Sequence, residues 1–424
     1  MNLSRWIAAL AATLITATAL AHNTEFRRVC LLTGMQEVPP NASNADGCGA
    51  FVIDPINNKI TYRIVVTNLS GAETAATIHG PAVPGANGPV LFALPLGAAK
   101  SGVITYPQSQ EDLVLSAKMY VNIATNAFPA GEVRGQIVTH VASIDAAQEV
   151  PANGSGARGF GLFMYDNVAN TLDYYIAYAG LSAAETAAHI HGFARIGVNA
   201  GVKHTLPAGN LKVGTWNFTD ADEENLWNGM TYVNIHSTNF PGGEIRGQIV
   251  STVVPIDGTQ EVPANGSPGV GCGFVSLDLA GNNLAYDVRY ANLTSAETAA
   301  HIHGFGGPTQ NAGIKHTLPA GARKLGNWAY GAVQSDENLI KAGLTYFNIH
   351  TTNFPGGEIR GQLRPPFLPY CPADFNDDRF VNGDDFDDWA SLFDAGALSA
   401  DLNFDGFVNG DDFDFFAEHF ESGC

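Results

Sequence analysis

The chain has 424 residues, 45% of them hydrophobic and 15% charged, with 47 Gly and 22 Pro. That is enough for two to four domains, too apolar for a disordered chain, and typical of strands punctuated by turns. The formal charge of −20 leaves no basic excess to neutralise phosphates and excludes nucleic acid as a partner class.

From the N-terminus, residues 1–21 read as an export signal. Arg5 supplies the positive region, Ile7 to Leu20 an apolar stretch, and Ala19-Leu20-Ala21 a small-x-small cleavage site. The expected product is secreted or held at the cell surface, with no membrane span after signal cleavage. Five Cys suit an oxidising compartment. The most economical pairing joins Cys30 to Cys48 and Cys371 to Cys424, leaving Cys272 over.

The body is repeated. Gln36-Glu37-Val38-Pro39 recurs from Gln148 and from Gln260, a step of 112 residues each time. Gly131-Glu132-Val133-Arg134-Gly135-Gln136 recurs from Gly243 and from Gly357. A unit of that length is a domain rather than a solenoid turn. Within each unit the period is two: Ile60, Tyr62, Ile64 and Val66, then Leu172, Tyr174, Ile176 and Tyr178, then Leu284, Tyr286, Val288 and Tyr290. The expected fold is all-β, with three tandem antiparallel sandwich or barrel domains over 30–140, 142–250 and 254–364. Residues 365–370 are a Pro-rich spacer.

Period two also puts His189 and His191 on one strand face, and His301 and His303 on another. Tyr232, Asn234 and His236 share a face, as do Tyr346, Asn348 and His350. If the two strands are neighbours, three imidazoles converge on one ion, and neutral imidazoles suit copper or zinc. His204 and His316, in Pro/Gly-bounded loops, are weaker ligand candidates. The first unit is an internal control, because Thr77, Phe92 and Ala124 replace three of the four His and only His79 remains. The cluster is therefore dispensable for folding, and sites are expected in units two and three alone. Glu244 and Arg246 recur in all three units and read as a structural ion pair.

Leu32 to Pro40, the Ala-Ala-His-Ile-His-Gly stretch, and the run from Tyr-Val-Asn-Ile-His to Gly-Glu-Ile-Arg-Gly-Gln together resemble the chordin-type CHRD domain. The resemblance implies an extracellular module without established catalysis; in animal chordin such modules accompany growth-factor antagonism. The turn at Gly180-Leu181 leading into His189-Ile190-His191 also looks like the copper strand of Cu/Zn superoxide dismutase, without a counterpart of that family's Asp-containing zinc subsite.

Residues 371–424 carry 15 acids against one Arg and hold two copies of a calcium-loop pattern. The side chains of Asp374, Asn376, Asp378, Asn382 and Asp385, with the carbonyl of Phe380, form the first ligand set. Those of Asp401, Asn403, Asp405, Asn409 and Asp412, with the carbonyl of Phe407, form the second. Arg379 replaces the usual sixth-position Gly that the second loop keeps as Gly406, so the first loop is expected to bind more weakly. Helical patterns follow, on Phe386, Trp389, Ala390 and Phe393 and on Phe413, Phe416, Ala417 and Phe420. This tail resembles a Cys-bracketed type I dockerin, which implies a cohesin-like or cell-surface receptor.

The leading reading is a secreted binding or scaffold protein, with an unidentified ligand for its repeats and no catalytic residues assigned. The alternatives are a copper- or zinc-dependent oxidoreductase of superoxide dismutase type and an accessory to polysaccharide degradation.

Overall fold

The structure, a computed structural model, describes residues 26–331, 334–364, 373, 375, 381–396, 400, 402 and 407–422. Residues 24–370 form one compact unit, and 371–424 belong to another. The proposed export signal, the spacer, Cys371, Cys424, Asp374, Asn376, Asp378, Phe380, Asp401, Asn403 and Asp405 lie outside the described residues. No described helix is long and apolar enough to cross a membrane.

The fold is the expected all-β one. The first domain has β1 (Phe26–Thr33), β2 (Asp46–Asp54), β3 (Lys59–Thr67), β4 (Glu73–His79), β5 (Val90–Ala93), β6 (Ala99–Thr105), α1 (Glu111–Leu115), β7 (Tyr120–Thr125) and β8 (Val133–Gln136). The second has β9 (His140–Asp145), β10 (Arg158–Asp166), β11 (Thr171–Ala179), β12 (Glu185–Gly192), β13 (Val202–Thr205), β14 (Leu211–Asn217), α2 (Glu223–Trp227), β15 (Thr231–Ser237) and β16 (Ile245–Ile249). The third has β17 (Thr252–Asp257), β18 (Val270–Asp278), β19 (Asn283–Ala291), β20 (Glu297–Gly304), β21 (Ile314–Thr317), β22 (Arg323–Ala329), α3 (Gln334–Lys341), β23 (Thr345–Thr351) and β24 (Ile359–Gln362).

Each domain is one eight-stranded antiparallel sheet in the order β5-β4-β7-β8-β1-β2-β3-β6, or its equivalent. The β1–β8 ladder holds a single residue pair, Thr33 opposite Arg134. The sheet folds there, and its two four-stranded halves close on a core. The alternation read from sequence supplies that core: in β11, Leu172, Tyr174, Ile176 and Tyr178 are all buried. Asn58, Asn170 and Asn282 take positive φ in the turns before β3, β11 and β19, a conformation Asn tolerates better than most residues.

A further apolar cluster is shared among the domains. Val29, Val141 and Val253, at equivalent positions, join Cys48, Phe160, Cys272, Leu162 and Phe274. Each domain packs its third strand on the preceding one cyclically, so the three form a closed ring. From the first to the third, Arg63 Nη1 lies 2.7 Å from Asp257 Oδ2. From the third to the second, Arg289 Nη2 lies 2.9 Å and Arg323 Nη1 3.1 Å from Asp145. Between the second and first, Tyr175, Phe160 and Leu162 face Met35, Pro84 and Arg134 across a cavity of about 180 Å³.

The cysteine pairing differs from expectation. Cys48 bonds Cys272, 224 residues away, and among the described residues Cys30 is a free, buried thiol. The strand register explains this. Cys48 pairs with Leu31, and Cys30 with Gly49, so the two cysteines point to opposite faces of the sheet. Cys30 enters the first domain's own core, and Cys48 enters the cluster among the domains.

In the C-terminal unit, α4 (Gly383–Asp394) and α5 (Gly410–Ser422) follow the two proposed loops. Trp389 stacks on Phe416 with ring centroids 4.5 Å apart, over Ala373, Ala400 and Leu402. Phe386 and Phe413, expected on the packed faces, are 40% and 44% exposed and sit at the rim.

Candidate metal centres

β12 lies between β13 and β15 in its sheet. The register sets His189 opposite Asn234, His191 opposite Tyr232 and Ala187 opposite His236. The three imidazoles therefore meet on one face. In each of the last two domains, one ligand atom from each His lies within 4.8 Å of the other two: His189, His191 and His236, then His301, His303 and His350. Each group consists of His alone; no carboxylate or thiol of the described residues joins it.

Backbone carbonyls orient the rings. His191 Nδ1–H donates to Ala200 O at 2.9 Å, and His236 Nδ1–H to Pro241 O at 3.0 Å. His303 and His350 donate likewise to Ala312 O at 2.8 Å and Pro355 O at 3.0 Å. These bonds fix the tautomer, and the lone pair of each Nε2 faces the cluster. His189 Nδ1 lies 3.3 Å from His236 Nε2. In the third domain His301 Nδ1, His303 Nε2 and His350 Nε2 are all buried and without a hydrogen-bond partner. Buried polar atoms are rarely left so without a ligand to meet.

Burial, then the neighbouring imidazoles, lowers the basicity of His189 and His301. Burial also lowers His191 and His303, against the pull of their carbonyl partners, and the guanidiniums of Arg246 and Arg360 add to it. Neutral imidazoles are the metal-binding form.

His204 and His316 do not join. His204 pairs with Ile190 across the ladder, which turns it to the other face, 3.4 Å from Tyr174 Oη. His316 lies 3.1 Å from Tyr286 Oη.

Behind each centre stands a stack that sequence reading missed. Tyr232 lies parallel to His191 with centroids 5.0 Å apart, and the Arg246 guanidinium sits 3.6 Å above the ring centre of Tyr232. The third domain repeats this with His303, Tyr346 and Arg360. The only signal was the recurrence of Tyr and Arg on adjacent strands. The first domain has the same stack, His79 on Tyr120 under Arg134, but no cluster.

The expected Glu244–Arg246 ion pair is absent among the described residues. Arg246 donates to Val198 O and Gln248 Oε1 at 2.9 and 3.0 Å. Glu244 accepts from Ser155 Oγ and Ser182 N at 2.6 and 2.7 Å. Each pins a different loop, so both are structural but not as partners. Glu149 of the Gln-Glu-Val-Pro motif approaches Asn234 Nδ2 at 3.3 Å. Gly243, at φ +133°, makes room: a Cβ there would lie 2.4 Å from Asn234 Oδ1 and 2.8 Å from Glu149 Oε1. Burial raises the carboxyls of Glu37, Glu149 and Glu261 to about 7.

The recurrent carboxylate of β12 is also occupied. Glu185 lies 2.5 Å from Lys212 Nζ and accepts from Tyr178 Oη at 2.6 Å. In the C-terminal unit, Asn382 and Asn409 cap their helices. Asp385 and Asp412, fully buried, each accept the backbone N–H of that Asn at 2.9 Å. Asp412 also accepts from Leu402 N at 2.8 Å. Phe407 is 71% exposed.

The repeats match a family model described as the CHRD domain over residues 29–137, 141–249 and 252–363. The chain belongs to the CHRD family. It is 27% identical to Chordin of Xenopus laevis over 265 residues, which is 54% of this chain and 28% of that protein. It is 26% identical to Chordin of Danio rerio over 298 residues, 61% of this chain and 31% of that one. The chain thus spans less than a third of the length of these relatives. The His clusters belong to the second and third CHRD domains, and the first CHRD domain carries the shared fold without them.

Proposed function

We propose that this CHRD protein is a secreted, extracellular binding protein whose second and third domains each hold a copper or zinc ion through three imidazoles. The observation that carries the reading is the convergence of three imidazoles in each of the two domains, with all three donor atoms buried and without a hydrogen-bond partner in the third. The ligand of the repeats is a molecule of its extracellular surroundings. The acidic C-terminal unit binds calcium through its two loops and attaches the ring to a cohesin-like or cell-surface receptor. Support for that last step is the pair of Asn-capped helices whose buried Asp385 and Asp412 stand at the twelfth loop positions.

The test is elemental analysis of the full secreted chain after chelator treatment and reloading, beside His189→Thr/His301→Thr. Threonine is what the first domain carries at this position, so folding is expected to survive. About two transition-metal ions per chain, lost in the double variant, is the expected result. The same stoichiometry in both proteins would place the metal elsewhere.

A second reading, an oxidoreductase of superoxide dismutase type, draws on the donor count: three protein ligands rather than four leave a coordination position for a reactant. Superoxide removal by the copper-loaded chain, abolished in the double variant, would favour it. Polysaccharide chemistry draws no such support, because the recurrent carboxylates Glu185 and Glu244 are already engaged by Lys212, Tyr178, Ser155 and Ser182.

A further inference from the structure

The two His clusters invite zinc and copper alike by donor type, so the choice between them must come from charge and solvent access. We infer that both centres take copper as the monovalent ion in preference to zinc. This rests on the three-imidazole reading above and refines it.

The first ground is charge. Each group offers three neutral nitrogens and no carboxylate or thiolate among the described residues. A divalent ion there keeps its full charge. The cost of removing an ion from water grows with the square of that charge, so a dication loses about four times what a monocation does. A cation stacked behind each centre makes this worse. The guanidinium of Arg246 lies 3.6 Å above Tyr232, which is itself stacked on His191. Arg360 and Tyr346 do the same behind His303. A fixed cation on that side disfavours each added unit of positive charge on the metal.

The second ground is water. Zinc in a three-His site completes its tetrahedron with a water or a substrate. In the third domain all three donor atoms are sealed from solvent, and the ring centroids lie only 5.0–5.8 Å apart. The rings supply three donors, and no fourth donor of the described residues joins them. Monovalent copper is content with three nitrogens; zinc is not.

The third ground is preorganisation. Ala200, Pro241, Ala312 and Pro355 carbonyls hold four of the six rings with their Nε2 atoms aimed inward. None of these second partners is a carboxylate, which would make the imidazole a stronger donor for a dication.

The experiment is a pair of competition titrations on the full chain. Bicinchoninate with ascorbate, under exclusion of air, reports monovalent copper; a chromogenic zinc chelator reports zinc. His189→Thr/His301→Thr is the control. The expected result is two copper ions drawn from bicinchoninate per chain, at an affinity about 100-fold or more above that for zinc, with both lost in the variant. X-ray absorption of the copper-loaded chain should show three nitrogen neighbours. Zinc bound as tightly as monovalent copper, or a fourth oxygen neighbour on the copper, overturns the inference but leaves the three-imidazole site standing. Uptake of neither metal removes the site itself, and the inference with it. Copper uptake unchanged in the variant does the same, since the ion then sits elsewhere.

Discussion

Thr77 Oγ1 lies 2.8 Å from His79 Nε2 in the first domain. His79 Nδ1–H is committed to Gly88 O at 2.9 Å, so the hydroxyl donates and Nε2 accepts. The same Nε2 in the other two domains faces imidazoles instead. Where the His cluster is missing, a hydroxyl has taken over the lone pair, and the Tyr–Arg stack behind it is unchanged.

This arrangement predicts a gain of function. Thr77→His with Ala124→His rebuilds the missing donors at positions whose neighbours already match. Transition-metal content should rise from about two to about three ions per chain. A value that stays at two would mean that more than the donor set differs between the domains.

Stability of the metal-free protein should decline as pH rises from about 4.5 to 7. Glu37, Glu149 and Glu261 hold their protons to about 7 in the fold, against 4.5 when unfolded. Between those values the folded chain binds the extra protons, so stability falls as pH rises toward 7. On the acid side His140 stays neutral down to about 3 because it is buried, against 6.5 unfolded. Between those values the unfolded chain binds that one extra proton, which opposes the three glutamates and makes the net fall shallower below 6.5 than above it. Thermal melts from pH 5 to 8 check this. Glu37→Gln, which keeps the shape and removes the charge, should reduce the fall between pH 4.5 and 7 by roughly 1–3 kcal/mol; an unchanged slope would remove the carboxyl as its source.

Cys48→Ser with Cys272→Ser should lower unfolding free energy by about 3–5 kcal/mol, since the bond closes a loop of 224 residues. Urea denaturation measures it. The effect should be on the ring as a whole, with Cys30 inert to thiol reagents until unfolding, because it is buried.

In the C-terminal unit, Asp412→Ala removes a helix-capping acceptor and the partner of Leu402 N. Helicity of α5 should fall by about 1–2 kcal/mol of local stability even with calcium absent. If chelator alone abolishes the helical signal and the substitution adds nothing, the carboxylate acts only through the ion.

Much of this was legible because strand geometry is strict. Once β12 and β15 are neighbours, the alternation that buries Ile190, Val233 and Ile235 leaves His189, His191 and His236 no other face. The same rule, applied to His204 on β13, needed a register no local pattern carries: it pairs with Ile190 and so faces Tyr174. The cysteines were misread for a related reason. Cys30 and Cys48 are close in sequence, but nothing in 30–48 says that a third domain lies against one face of β2. Glu244 and Arg246 were read as partners from their spacing, whereas loops more than 40 residues upstream in sequence claimed each of them first.

Two of the three joints in the ring are crossed by the chain itself, between β8 and β9 and between β16 and β17. The third is crossed by the Arg63–Asp257 ion pair and, covalently, by Cys48–Cys272. Covalently, the body is therefore a macrocycle. A protease that nicks either connecting segment produces a linear molecule with all three domains still attached, and no fragment leaves until the disulfide is also reduced. The same closure gives each of the three domains a neighbour on both flanks within residues 24–370.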